Sequence, residues 1–383
     1  MVKVDGSRYH RSLSRLLLLI VALIVYGSLY PWRLRAPTQT GGPFGILLRS
    51  LSDPIYGRDL LLNVALYVPF GAGAYLAFRR PSRKLYSFVM PVLMGLALST
   101  TIELIQVYEA TRRSSLYDVI ANGLGTASGV MVGSMFVRMS SRLRAAHAGA
   151  LAILGCWIAY LCFPFLFVFE SRLLAMKLNV LLRSDWFTLI PLVSAFASWF
   201  AAGLLFTEAG FRRPKRWLAA SLIFLPGQLF LFERQPLISQ SIGAVAGVAV
   251  FLSMDKARRG WAAVALVPAL IVRGLAPFHF QTAASSFGWI PFVATLGADW
   301  HSAMLTLLEK LFYYSATIWS LRAAGFSAHS AAALVAAALL GIELLQMYVP
   351  GRSPEITDPI LALLIGYGLE SFKRTSSPSG TSA

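Results

Sequence analysis

The chain alternates long apolar runs with short polar segments that are often basic. A helix that crosses a bilayer needs about 20 predominantly apolar residues. Runs near that length predict spanning helices at residues 15–30, 60–78, 85–108, 116–137, 148–169, 187–206, 216–232, 236–254, 260–275, 304–323, 329–348 and 357–372, several of them cut by glycine or proline. The run at 260–275 is the weakest of these. Arg8, Arg11 and Arg15 precede the first run as in a signal peptide, but Tyr30-Pro31-Trp32-Arg33 offers no small-residue cleavage site, so a retained helix is expected. The predicted fold class is all-α, a polytopic transmembrane helical bundle of about twelve helices.

Composition supports this reading. Of 383 residues, 57% are hydrophobic and 13% charged, whereas a soluble protein carries roughly 25% charge. So little charge cannot cover a water-exposed surface. Disordered and disulfide-stapled classes fall away for want of polar residues and cysteines. The net charge of +17 suggests nucleic acid only until the positions are inspected. Lys and Arg cluster between the runs, as at the boundaries of a polytopic protein, so no nucleic-acid partner is expected. On alternate sides they number 21 and 12, Lys310 within a run completing the 34. The richer side is cytoplasmic, which places both termini inside. Cys156 and Cys162 share one apolar run and read as small fillers.

The third and fourth runs carry Glu103, Gln106, Tyr108, Arg112 and Asp118; the eleventh and twelfth carry Glu343, Gln346, Tyr348, Arg352 and Asp358. From the glutamate, the spacings are 3, 5, 9 and 15 in both copies. Pro43-Phe44 and Pro291-Phe292 each stand 34 residues before a matching phenylalanine, Phe78 and Phe326. A worn copy lies between them: Ile190-Pro191 echoes Ile290-Pro291, and Gln228 stands 17 residues after Phe211, as Glu343 does after Phe326. Arg234 and Ser239 take the places of the arginine and the aspartate. Repetition at this scale points to tandem structural copies. The expected units are 1–140, a degenerate middle unit 146–256 and a third unit 260–373, each one helix, a long loop and three closely connected helices; 374–383 is expected to be a disordered tail.

From Asp59 to Gly129, the residues Asp59-Leu-Leu-Leu-Asn63, Val68-Pro69-Phe70-Gly71, Glu103-Leu-Ile-Gln106, Arg112, Asp118 and Asn122-Gly123 resemble the VanZ-like family of bacterial membrane proteins. That family takes its name from an accessory factor in teicoplanin resistance. The resemblance covers the first unit well, the third moderately and the middle poorly. It implies a multi-pass protein of the bacterial cytoplasmic membrane linked to the cell envelope, and it supplies no reaction. The third unit departs from the pattern, with Leu311 at the place of Asn63 and Ala362 at that of Asn122.

Glu103 and Gln106 share a helix face with Ser99 one turn earlier, and Asp118 and Asn122 share a face at the start of the next helix. Glu103 lies five residues, or roughly 7 Å, below Tyr108. A carboxylate at such depth has to be paired, protonated or in contact with water, and each of these makes it a functional candidate. The candidate ligand-binding set is therefore Asn63, Glu103, Gln106, Arg112, Asp118 and Asn122, with Glu343, Gln346, Arg352 and Asp358, around pockets at the outer membrane face. Plainer readings compete. Asp358-Pro359 fits a helix cap, Glu103 and Glu343 could clasp Arg112 and Arg352, and Gln106 could be an interhelical hydrogen bond. Gln228 favours function, because a structural clasp should be needed in every copy. Gly125, Gly129 and Gly133, with Gly243 and Gly247, read as packing faces. Glu309 and Lys310 read as snorkelling or mutually paired.

The sequence contains no H-E-x-x-H, G-x-S-x-G, Walker or dinucleotide motif. Asp299 and His301 are too few to make a metal site. No cofactor or metal is expected. The leading expectation is a non-catalytic pocket for an amphiphilic envelope molecule: a glycopeptide or lipopeptide antibiotic, or a lipid-linked cell-wall or polysaccharide intermediate. Its partners are then membrane lipids or such a ligand. The alternatives are an integral membrane enzyme with a carboxylate acid or base and a transporter with parallel repeats.

Overall fold

The computed structural model describes residues 6–36, 40–54, 57–80, 82–142, 148–232, 234–254 and 260–373. The tail expected at 374–383 lies outside them. The chain packs as two compact bodies that meet in sequence between Arg142 and Leu143. The described residues are helical, with isolated bridges as their only β-pairing.

The first body comprises α1 (Gly6–Leu29), α2 (Gly42–Arg49), α3 (Gly57–Phe78), α4 (Lys84–Gln106) and α5 (Leu116–Arg142). α3 and α4 both lie along α5, and α1 packs on α3 and α4. Leu17, Ile24, Tyr67, Phe70 and Ile102 form its apolar centre. The glycine stripe is the seam between α3 and α5: a methyl group on Gly125 or Gly129 would collide with the carbonyl oxygens of Val64 and Val68. Without a driving force from water, helices in lipid associate through close backbone contact of this kind.

The second body begins with α6 (Ala148–Cys162), α7 (Ser171–Arg183), α8 (Leu189–Glu208), α9 (Pro214–Ser221), α10 (Phe224–Gly227) and α11 (Ile238–Ser253). It continues with α12 (Trp261–Leu275), α13 (Val293–Gly297), α14 (Trp300–Ala323), α15 (Ala328–Gln346) and α16 (Thr357–Lys373). α8 packs on α6, α11 and α12, and α14 on α6, α12, α15 and α16. Gly243 and Gly247 meet the carbonyl oxygens of Leu192 and Phe196, so α11 and α8 also touch through backbone. Trp157 sits fully buried at the centre, edge-on to Trp199 at 5.2 Å, with Phe206, Phe224 and Phe312 around it.

Among the described residues, five helices are long and apolar enough to cross a membrane: Leu60–Phe78, Lys84–Gln106, Leu116–Met139, Leu189–Glu208 and Ala328–Gln346. The expected all-α transmembrane class holds. Two expected spans do not hold as drawn. The run at 216–232 is broken into α9, α10 and a 3-10 turn at Gln228–Phe230, where Pro226 removes a backbone donor and Gly227 loosens the turn. The run at 148–169 ends at Cys162, because the chain reverses through Phe165 with φ 62°. The long connections after α1, α6 and α12 hold the short helices α2, α7 and α13.

Candidate ligand pocket

α1, α6 and α12 each end in the same kind of reversal. Trp32, Phe165 and Phe278 take φ of 62–63°, and their amides donate to Leu29, Cys162 and Leu275 at 2.8 Å. An arginine from a later hairpin covers each end. Arg112 donates to the carbonyls of Gly27 and Tyr30 at 3.3 and 3.4 Å, and Arg352 to those of Arg273 and Ala276 at 3.0 and 2.7 Å. Arg234 donates to Phe163 at 2.9 Å and also to the Tyr160 carbonyl. The last carbonyls of a helix have no partner within it and carry the negative end of its dipole, so a guanidinium serves well there. The competing reading of a Glu–Arg clasp gives way to this arrangement: Arg112 and Arg352 bond to helix ends.

The glutamates have other partners. Glu103 is buried, and its Oε2 accepts the amide of Ser115 at 2.8 Å; Glu343 likewise accepts the amide of Glu355 at 2.9 Å. Each thus ties the end of its own helix to the residue that leads into the next. Gln106 donates to the carbonyl of Ser28 at 2.8 Å and Gln346 to that of Gly274 at 3.1 Å, the interhelical role foreseen for the amide. In the first body, Asn122 donates to Ser99 at 2.8 Å, and Asp118 stands in the first turn of α5. Asn63 is half-buried on α3. At the position read as the worn acid, Gln228 is buried with its amide nitrogen lacking a hydrogen-bond partner.

One residue missed in the sequence organises the first hairpin. Glu109 takes the amide of Arg33 at 3.0 Å and the amide and hydroxyl of Thr111 at 2.6 and 2.8 Å. Burial by itself would raise its carboxyl, but the donors from Thr111, Arg33 and Arg112 outweigh it and hold the group below the ordinary carboxylate range.

A cavity of about 440 Å³ opens in the second body, at one end of α12, α14, α15 and α16. Its wall carries Arg273 from α12, Glu309, Lys310 and Tyr314 from α14, Glu343 from α15 and Asp358 from α16. Arg352 and Glu355 line it from the hairpin between α15 and α16. Asp358 does not use its carboxylate as the expected helix cap: its two oxygens take Lys310 Nζ at 2.5 Å and the Tyr314 hydroxyl at 2.6 Å. Arg273 forms an ion pair with Glu309, donates to the Ser194 hydroxyl at 3.0 Å and lies 5.2 Å over the Tyr313 ring. Glu309 and Lys310 thus point into the cavity toward α12 and α16, and do not pair with each other as expected. Asp299 caps α14, accepting the amides of His301 and Ser302 at 3.1 Å.

Glu343, Gln346, Arg352 and Asp358 are all in the wall of this cavity, while the other six candidates lie in the first body. Sequence reasoning missed Arg273, Glu309, Lys310, Tyr313 and Tyr314 as lining groups. Their signal was present as three charges within apolar runs, which in membrane helices face partners or cavities.

No curated protein and no solved structure matches the chain. Residues 15–137 match the family described as VanZ/LLP1. The match spans α1 from Arg15 through almost all of α5, the segment that holds Glu103, Arg112 and Asp118. This is a membrane protein whose residues 15–137 match the VanZ/LLP1 family.

Proposed function

We propose that this protein holds the polar head of an amphiphilic envelope molecule in a pocket facing away from the cytoplasm, and so contributes to envelope function or antibiotic resistance. The ligand is of the glycopeptide, lipopeptide or lipid-linked intermediate kind. The observation that carries this reading is the 440 Å³ cavity at the ends of four helices, lined by charged groups of both signs. Charge within a membrane-embedded body is costly unless water or a ligand meets it. The excess of basic residues on one side supports an outward-facing position for the hairpins of Arg112 and Arg352 and for the cavity. We also read the helices as three copies of one four-helix plan. The matching reversals at Trp32, Phe165 and Phe278 and the three arginines on helix ends support that.

Purified protein in maltoside micelles, titrated with labelled undecaprenyl-linked precursors and with a glycopeptide antibiotic, tests the proposal. Saturable binding of one of them without turnover is expected, and Thr306→Trp, which adds an indole to the cavity wall, abolishes it. The absence of binding to any of them rejects the pocket reading. A catalytic role draws on a separate observation: Glu343, Asp358 and Tyr314 share one wall of the cavity, and the Tyr314 hydroxyl donates to Asp358 at 2.6 Å, an arrangement suited to proton transfer. Conversion of the precursor that is lost in Asp358→Asn would favour it.

A further inference from the structure

The hydrogen bonds around the cavity decide which chemical group it can accept. Three bases line it, and each is already engaged: Arg352 on the carbonyls of Arg273 and Ala276, Arg273 on Glu309 and Ser194, Lys310 on Asp358. Four carboxylates face them, Glu309, Glu343, Glu355 and Asp358, one more than the bases. Two of these hold spare capacity. Glu343 uses Oε2 for the amide of Glu355, and Glu355 uses Oε2 for the amide of Ala294 at 3.2 Å. An ionised carboxylate offers about four acceptor sites and no donor. Thr295, Ser302 and Thr306 add hydroxyls on the same wall. The cavity therefore carries one more acidic than basic side chain, and its least engaged acceptors are on Glu343 and Glu355.

We infer that the cavity selects a primary ammonium group on its ligand, seated between Glu343 and Glu355, and disfavours phosphate. This rests on the pocket reading and narrows its ligand class. An ammonium brings three donors and one positive charge, which answers both the spare lone pairs and the missing cation. A phosphate brings acceptors and negative charge to a wall already long in both. Burying it there would leave like charges facing each other in a medium that screens them poorly.

Matched amphiphiles separate these outcomes. The full chain in neutral maltoside micelles at pH 7 is titrated by calorimetry with dodecylamine, dodecyl phosphate and dodecanol. Dodecylamine is expected to bind saturably and at least tenfold more tightly than the other two. Glu355→Gln keeps the acceptor for Ala294 but loses the charge, and is expected to lower amine affinity about tenfold. Glu343→Gln, which places in the third unit the residue found at 228, is expected to do the same if Glu355→Gln proves unstable. Thr306→Trp abolishes the binding. Tighter binding of dodecyl phosphate or dodecanol overturns the ammonium assignment and leaves the pocket reading standing. Amine binding that survives Thr306→Trp also overturns the assignment, and no saturable binding by any of the three removes both.

Discussion

Lys310 and Asp358 face each other in the wall of the cavity, and the pair is expected to matter more than surface ion pairs do, because the two side chains are only 26% and 10% exposed. Lys310→Met strands the carboxylate and is expected to cost about 3 kcal/mol, in the range for breaking a buried pair. The double variant Lys310→Met/Asp358→Leu should recover much of that loss, as measured by thermal unfolding in micelles. Glu103→Gln keeps an oxygen for the Ser115 amide, so its unfolding midpoint should stay close to the parent's. Glu109 is different. Its folded carboxyl lies below the unfolded value, so its stabilisation is present above the unfolded pKa of about 4.3 and is lost as pH falls through the folded one. Acid unfolding of the full chain should shift toward neutral pH in Glu109→Gln, with little difference from the parent where the parent's Glu109 is itself protonated. At this scale, three-residue spacing put Glu103 and Gln106 on one helix face, and the repeated nine-residue step from the glutamate picked out Arg112. Neither could locate their partners. Those are backbone amides and carbonyls, which every residue carries and no spacing marks.

At the scale of helices, the glycine seam joining α3 to α5 fixes how closely they approach. Gly129→Leu forces the backbones apart and should destabilise the first body by more than the 1–3 kcal/mol typical of overpacking in a core. Gly45→Ala, in the short helix α2 where only the far end of Arg49 lies near, should be almost neutral by the same unfolding assay. The seam was legible because small residues every fourth position form a continuous strip. The break in the run at 216–232 was not, since a window of apolar residues scores alike whether one helix or two short ones contain it. Lys177 was equally hidden. It is buried on α7 with its amine on the carbonyls of Leu231 and Leu229 at 2.5 and 3.3 Å, and that burial lowers its pKa. Only the fold brings the 3-10 turn beneath it.

For the whole molecule, the distribution of basic residues predicts which ends of the helices meet the cytoplasm. In a Cys156→Ala/Cys162→Ala background, Ser82→Cys should react with a membrane-impermeant maleimide only after the cells are opened. Arg113→Cys should react in intact cells. The reverse pattern would invert the membrane orientation and with it the side on which the cavity opens. Helix class was readable from apolar run length alone. The cavity was not, because it needs α12, α14, α15 and α16 together, and the residues that line it are spread from Leu270 to Asp358. In the first body, α3 and α5 meet backbone to backbone at successive turns, with no side chain between them to act as a bearing. That pair is the stator of its body, and any rearrangement there has to be carried by α1 or α4.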